Sequence, residues 1–228
     1  MRSSLPVLTA LLLFSLNVRA GEPSRDLAAA PVGVSSSVGV FLDFEDRPAR
    51  LTIETMEREV QSIMNPAGLR FSWRDLNDPK AVRSTFADLV VVKFRGSCSG
   101  VPRNRPKAGG ADGEPVALAD TKISNGKVLH FTDVYCNELR QYLGANAAPL
   151  RDSGRSLLYG RALGRIVSHE MWHIFAETDK HASGGVARAC YTRQDLLQSV
   201  FFFDPAEEKI LHEYAMRALL SMEANPAP

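Results

Sequence analysis

The chain has 228 residues, with 27 Lys and Arg against 26 Asp and Glu, a net charge of +1, and 45% hydrophobic residues. That near balance argues against a basic nucleic-acid-binding surface or a polybasic membrane-binding protein, and no nucleic-acid partner is expected. The hydrophobic fraction suits a folded domain, and the absence of internal repeats excludes a solenoid.

Residues 1–20 read as a secretory signal: Arg2 supplies the positive start, residues 5–16 the apolar core, and Val18-Arg19-Ala20 a small-residue cleavage site. The apolar run is too short to span a bilayer, so no integral membrane segment is expected after cleavage, and the protein is expected to be secreted or periplasmic. No acid lies among those 20 residues, so losing Arg2 and Arg19 takes the charge from +1 to −1 and leaves 208 residues, enough for one domain with its own core. Residues 21–37, rich in Ala, Pro and Ser, read as a flexible lead-in, and 38–228 as a single domain.

Residues 38–44 alternate as a first strand. Ile53, Met56, Val60, Ile63 and Met64 then fall at helical spacing, and Asn65-Pro66-Ala-Gly68 stops that helix. Residues 69–73 read as a second strand, and 89–94 as a β-branched run suited to a buried central strand. Residues 116–123 and 127–134 flank Asn125-Gly126, a two-residue hairpin signal. A short helical piece is expected at 137–143, a longer helix at 156–177, and a last helix opened by Asp204-Pro205 and running to Met222. Glu207 and Glu208 suit the first turn of that helix; Ile210, Leu211, Tyr214 and Leu220 are available for one apolar face, and Met216 and Met222 for packing. Three cysteines in an exported chain imply one disulfide and one free thiol. Cys98 and Cys136 each follow a strand-like segment, so their pairing is favoured with Cys190 free; three unpaired thiols are the alternative.

The chemistry concentrates in Ile166-Val-Ser-His169-Glu170-Met-Trp-His173-Ile-Phe175. On a helix, His169 and His173 lie one turn apart on one face, so both imidazoles can reach one metal ion. Glu170 sits beside the water such a metal would bind, as a general base. The alternative is a core helix whose two histidines are satisfied by hydrogen bonds, although two His and a Glu are costly to bury without a metal.

This segment resembles the active-site helix of the zincin metallopeptidases. In the metzincin pattern, His-Glu-x-x-His-x-x-Gly-x-x-His/Asp, the eighth and eleventh positions fall on Ala176 and Asp179. Asp179 fits a variant with an Asp third ligand, but Ala176 replaces the glycine that turns the chain. His181 is the other candidate. On a continued helix it would lie about 12 Å along the axis from His173, at about 1.5 Å per residue, so the helix must end near 177–179 and fold back. Alanine in a left-handed turn costs about 1 kcal/mol more than glycine, which argues for a later turn and favours His181. Asp179 stays as the alternative, and a distant Glu207, Glu208 or Glu213 as a third.

The resemblance implies an α+β fold with an α/β-type upper subdomain. In it a mixed, mostly parallel sheet with an edge hairpin packs on an active-site helix and a backing helix, and the C-terminal part is helical. It implies an exported zinc hydrolase, a metallopeptidase cleaving peptide bonds, with Zn2+ on His169, His173 and His181, a zinc-bound water activated by Glu170, and a monomer acting on a peptide or protein. Residues 116–121 would be the edge to which a substrate adds as a strand, or an ordinary exposed hairpin. Tyr191 is a candidate for oxyanion stabilisation or a packed aromatic, and Glu177 a partner for a ligand histidine or a solvated helix end. His130 and His212 read as surface residues and Trp172 as core. The rival is a zinc-stabilised secreted binding module without catalytic activity, with Asp179 and His181 both on the metal.

Overall fold

The computed structural model describes residues 38–78, 86–99, 117–147 and 150–224, all within one compact unit that begins at Val34. The expected signal at 1–20, the expected lead-in at 21–37 and Val116 lie outside the described residues. The fold is α+β. Strand β1 (Val38–Asp46) leads into helix α1 (Arg50–Met64), then β2 (Phe71–Asp75), β3 (Asp88–Ser97) and the hairpin β4 (Ala119–Ser124) with β5 (Lys127–Tyr135). Helices α2 (Cys136–Ala147), α3 (Asp152–Phe175), α4 (Arg193–Leu197) and α5 (Pro205–Ala224) complete the chain.

The five strands form one mixed sheet in the order β2-β1-β3-β5-β4, parallel throughout except where β4 runs antiparallel to β5. Asn125 and Gly126 both adopt positive φ, the conformation a two-residue hairpin turn demands. Strand β3 is central, as its β-branched run predicts, but it is not buried on both faces. Val90, Val92 and Phe94 are fully buried, whereas Leu89 is 50% exposed.

One face of the sheet carries the core. Val40, Leu42, Val90, Val92 and Val134 join Ile53, Met56 and Val60 of α1 and Leu163, Val167 and Met171 of α3 in a single cluster. Each such side chain contributes roughly 1.5–3 kcal/mol on leaving water. All five apolar positions read in α1 are buried. Helices α1 and α3 approach so closely that a Cβ on Gly160 would stand 2.5 Å from the Thr52 carbonyl oxygen, and one on Gly164 2.9 Å from that of Met56. Glycine alone fits there, which seats α3 deep against its backing helix.

Cys98, just beyond β3, and Cys136, at the start of α2, lie at disulfide distance with Cα atoms 5.0 Å apart, and Cys190 is free and exposed. On α5 the inward face is Leu211, Tyr214 and Ala215, spaced i, i+3, i+4, while Ile210 and Leu220 point to solvent, contrary to expectation. Met216 is likewise 45% exposed, so the packing role expected for it is wrong. The short α4 was missed in the sequence, although Thr192 and Asp195 cap it reciprocally and that spacing was legible. Among the described residues no helix is long and apolar enough to cross a membrane.

Candidate metal centre

Helix α3 runs 24 residues, starting four residues before the expected 156 and ending two before the expected 177. It stops at Phe175, and Glu177 takes a left-handed conformation, φ +50°. The Thr178 amide then donates to the His173 carbonyl at 3.1 Å and the Glu177 amide to Ile174 at 3.2 Å, the paired bonds of a Schellman turn. The reversal comes one residue after Ala176, and it uses Glu at a position glycine would fill without strain.

That turn carries His181 back over the helix. Its ring centroid lies 5.1 Å from that of His169 and 4.8 Å from that of His173. One ligand nitrogen from each of the three histidines lies within 4.8 Å of the others, so they could hold one metal ion. Asp179 lines the same cavity but stands outside that cluster, and Glu207, Glu208 and Glu213 lie on α5 away from the cavity lining.

The two helix histidines are oriented from behind. His173 Nδ1 lies 2.8 Å from the Thr178 carbonyl oxygen, and His169 Nδ1 2.8 Å from that of Val186. A carbonyl only accepts, so both Nδ1 atoms carry the proton and both Nε2 atoms present bare lone pairs. Those lone pairs face each other at 3.1 Å. Burial pushes the His169 pKa down to about 4 and lowers that of His173 as well, so neither ring takes up a proton near neutral pH to bridge them. Two acceptors held this close repel unless a cation lies between them. Two nitrogens about 2.0–2.1 Å from a tetrahedral zinc would stand about 3.3 Å apart. The donor set therefore fits a metal ion.

The backbone carbonyls behind the ligands have no sequence signature. Gly185 turns at φ +60° where a Cβ would press 2.8 Å from the Phe202 carbonyl oxygen, and the next residue is Val186. Tyr191 adds a second contact, its hydroxyl 2.9 Å from His169 Nδ1 while donating to the Val186 carbonyl. Tyr191 thus props a ligand from the side away from the other imidazoles. Glu177 forms no hydrogen bond to a motif histidine among the described residues; its backbone makes the turn instead.

Glu170 is 5% exposed, and its Oε2 accepts from Thr121 Oγ1 at 2.7 Å. Burial raises its pKa to about 7, with Asp120 adding to the rise and the Thr121 hydrogen bond opposing it. A carboxylate poised near neutrality suits a group that must both take and return a proton. Thr121 was not singled out in the sequence, because nothing in a Thr on a strand signals its partner.

All of these groups open on one cavity of about 460 Å³. The edge strand β4 supplies one wall through Ala119, Asp120 and Thr121, with Leu118 just before it, and the segment ending in Tyr191 supplies another. No family model matches the chain, and no curated protein matches it.

Of the remaining candidates, Trp172 is buried against Phe203, its ring centroid 5.9 Å away. His130 bonds to Asp88 at 2.9 Å, and His212 is exposed on α5; neither lines the cavity.

Proposed function

We propose that this chain is an exported zinc hydrolase of zincin type that cleaves peptide bonds. The observation that carries the reading is the convergence of the His169, His173 and His181 rings beside a buried carboxylate, Glu170, on the wall of a cavity large enough for part of a peptide. Three imidazoles and no carboxylate in the cluster leave a fourth position free, the pattern of a catalytic rather than a closed structural site.

A zinc ion held there would lower the pKa of a coordinated water toward neutrality and polarise a substrate carbonyl. The chain's own residues do the rest. His169 and His173, locked by the Val186 and Thr178 carbonyls, present Nε2 without reorganisation. Glu170 takes a proton from the attacking water as the new C–O bond forms, and gives it to the departing nitrogen as the C–N bond breaks, leaving a carboxylic acid and an amine. The edge of β4, unpaired among the described residues, offers main-chain donors and acceptors along the cavity, and an extended peptide pairing there would be held beside Glu170. A Cys98–Cys136 pair at disulfide distance supports an oxidising compartment, in keeping with the signal-like start of the sequence.

Glu170→Gln tests the mechanism. The variant is expected to keep stoichiometric zinc and lose hydrolysis of a quenched-fluorescent protein substrate by roughly 10²-fold or more. Turnover at the parent's rate would sink it.

A further inference from the structure

A helix fixes the Cβ of Glu170 but leaves its three side-chain torsions to be set by other contacts. The nearest such contact comes from another element. Thr121 Oγ1, on β4, lies 2.7 Å from Glu170 Oε2 and 3.2 Å from the Glu170 carbonyl oxygen. A hydroxyl has one proton, and an ionised carboxylate is the stronger and here the closer acceptor, so Oε2 receives it. The Thr121 backbone also bonds the Glu170 carboxyl group, and Glu170 lines the cavity.

Thr121 stands at an irregularity in the sheet. It pairs with Thr132, whereas Ile123 pairs with Val128, so three residues of β5, 129–131, stand opposite Lys122 alone. Irregularities of this kind re-aim a side chain beside a site. Here Thr121 faces α3, while its neighbours Asp120 and Lys122 turn to an ion pair of their own, 2.8 Å long.

We propose that Thr121 is the positioning residue for the base: its hydroxyl holds Glu170 Oε2 and so sets how the carboxyl group faces the water to be activated. The proposal rests on the hydrolase reading for its consequence, though not for the contact itself. It ties the general base to the edge strand that would receive the substrate, so a peptide docked on β4 is in register with the group that activates its attacker.

Thr121→Val keeps the side chain's shape and removes the donor; Thr121→Ser keeps the donor. In the metal-free protein, the infrared band of the Glu170 carboxyl group, assigned by difference against Glu170→Gln, is expected to shift in Thr121→Val and to stay in place in Thr121→Ser. With zinc supplied, Thr121→Val is expected to retain the metal and lose roughly 10- to 100-fold in kcat with KM little changed, and Thr121→Ser to recover most of that loss. An unmoved band in Thr121→Val, an equal kcat loss in Thr121→Ser, or loss of bound zinc in Thr121→Val would each overturn the proposal. Absence of hydrolysis in the parent itself would count against the hydrolase reading, and the infrared comparison would still decide the contact.

Discussion

The candidate site is made of two halves that differ in how they are held. His169 and His173 belong to a 24-residue helix, are buried, and have each Nδ1 fixed by a backbone carbonyl. His181 lies on the returning segment, is exposed, and has no hydrogen bond to its ring among the described residues. The first half is preorganised whether or not a metal is bound. The second is brought close by a turn and by the Ala182 amide's bond to the Ala187 carbonyl, which hold its backbone but leave its ring without a hydrogen bond among the described residues. A metal ion would therefore gain its first two bonds at little entropic cost and would order the third ligand as it binds.

The helix half is also tied to the chain beyond the returning segment by Arg165, which is 1% exposed, one turn before His169 on α3. Its Nε donates to Glu59 Oε1 at 2.7 Å on α1, and its two terminal nitrogens donate to the Asp195 and Gln198 carbonyls at 2.7 Å each, at α4. The Phe201 ring covers the guanidinium, 4.8 Å from its centre. Removing this group leaves Glu59 without its main partner and two carbonyls unsatisfied. Arg165→Met is expected to lower unfolding free energy by about 3 kcal/mol in urea titration. It should also speed amide exchange over 186–198 far more than over 166–175. Equal loosening of both stretches would mean that the two are not separately held.

Acid sharpens the contrast in a second way. Burial depresses the His169 pKa to about 4 in the folded metal-free protein, against about 6.5 unfolded. Between those values the unfolded chain binds more protons, so stability falls as pH drops from about 6.5 towards 4 and is restored as pH rises. His130 has the opposite sign. Its hydrogen bond to Asp88 raises its pKa, so its contribution is complete below about 6.5 and fades as pH rises through the folded value. Urea titrations of metal-free protein across pH 4–8, with His169→Gln and His130→Gln as controls, separate the two. Loss of the acid slope in the His130 variant rather than the His169 variant would contradict the assignment.

The smallest effect belongs to the exposed ligand. His181→Ala is expected to change metal-free stability by less than about 0.5 kcal/mol, as for other surface substitutions. A larger loss would show that the returning segment depends on that ring without any metal.

The same division governs what could be read from the sequence. Helical periodicity places His169, Glu170 and His173 together from their spacing alone, and strand alternation with Asn125-Gly126 gives the hairpin, whereas its place at the sheet's edge is only what the resemblance implies. The end of α3 was misjudged by two residues because Glu177, not a glycine or asparagine, adopts the left-handed turn. The seat of α3 on α1 depends on Gly160 and Gly164, which read as helix-weakening residues until the backbone facing them is seen. The carbonyls of Val186 and Thr178 that orient the ligands carry no side-chain signal. Thr121 reaches Glu170 across 49 residues of sequence, a pairing fixed only by sheet register.

The most direct test of the account is zinc content per chain, measured on purified protein beside His181→Ala after zinc is supplied and excess removed. The account predicts about one zinc in the parent and a large loss in the variant, with the variant still folded. Full zinc retention in His181→Ala, or no zinc in the parent, would contradict the three-histidine centre.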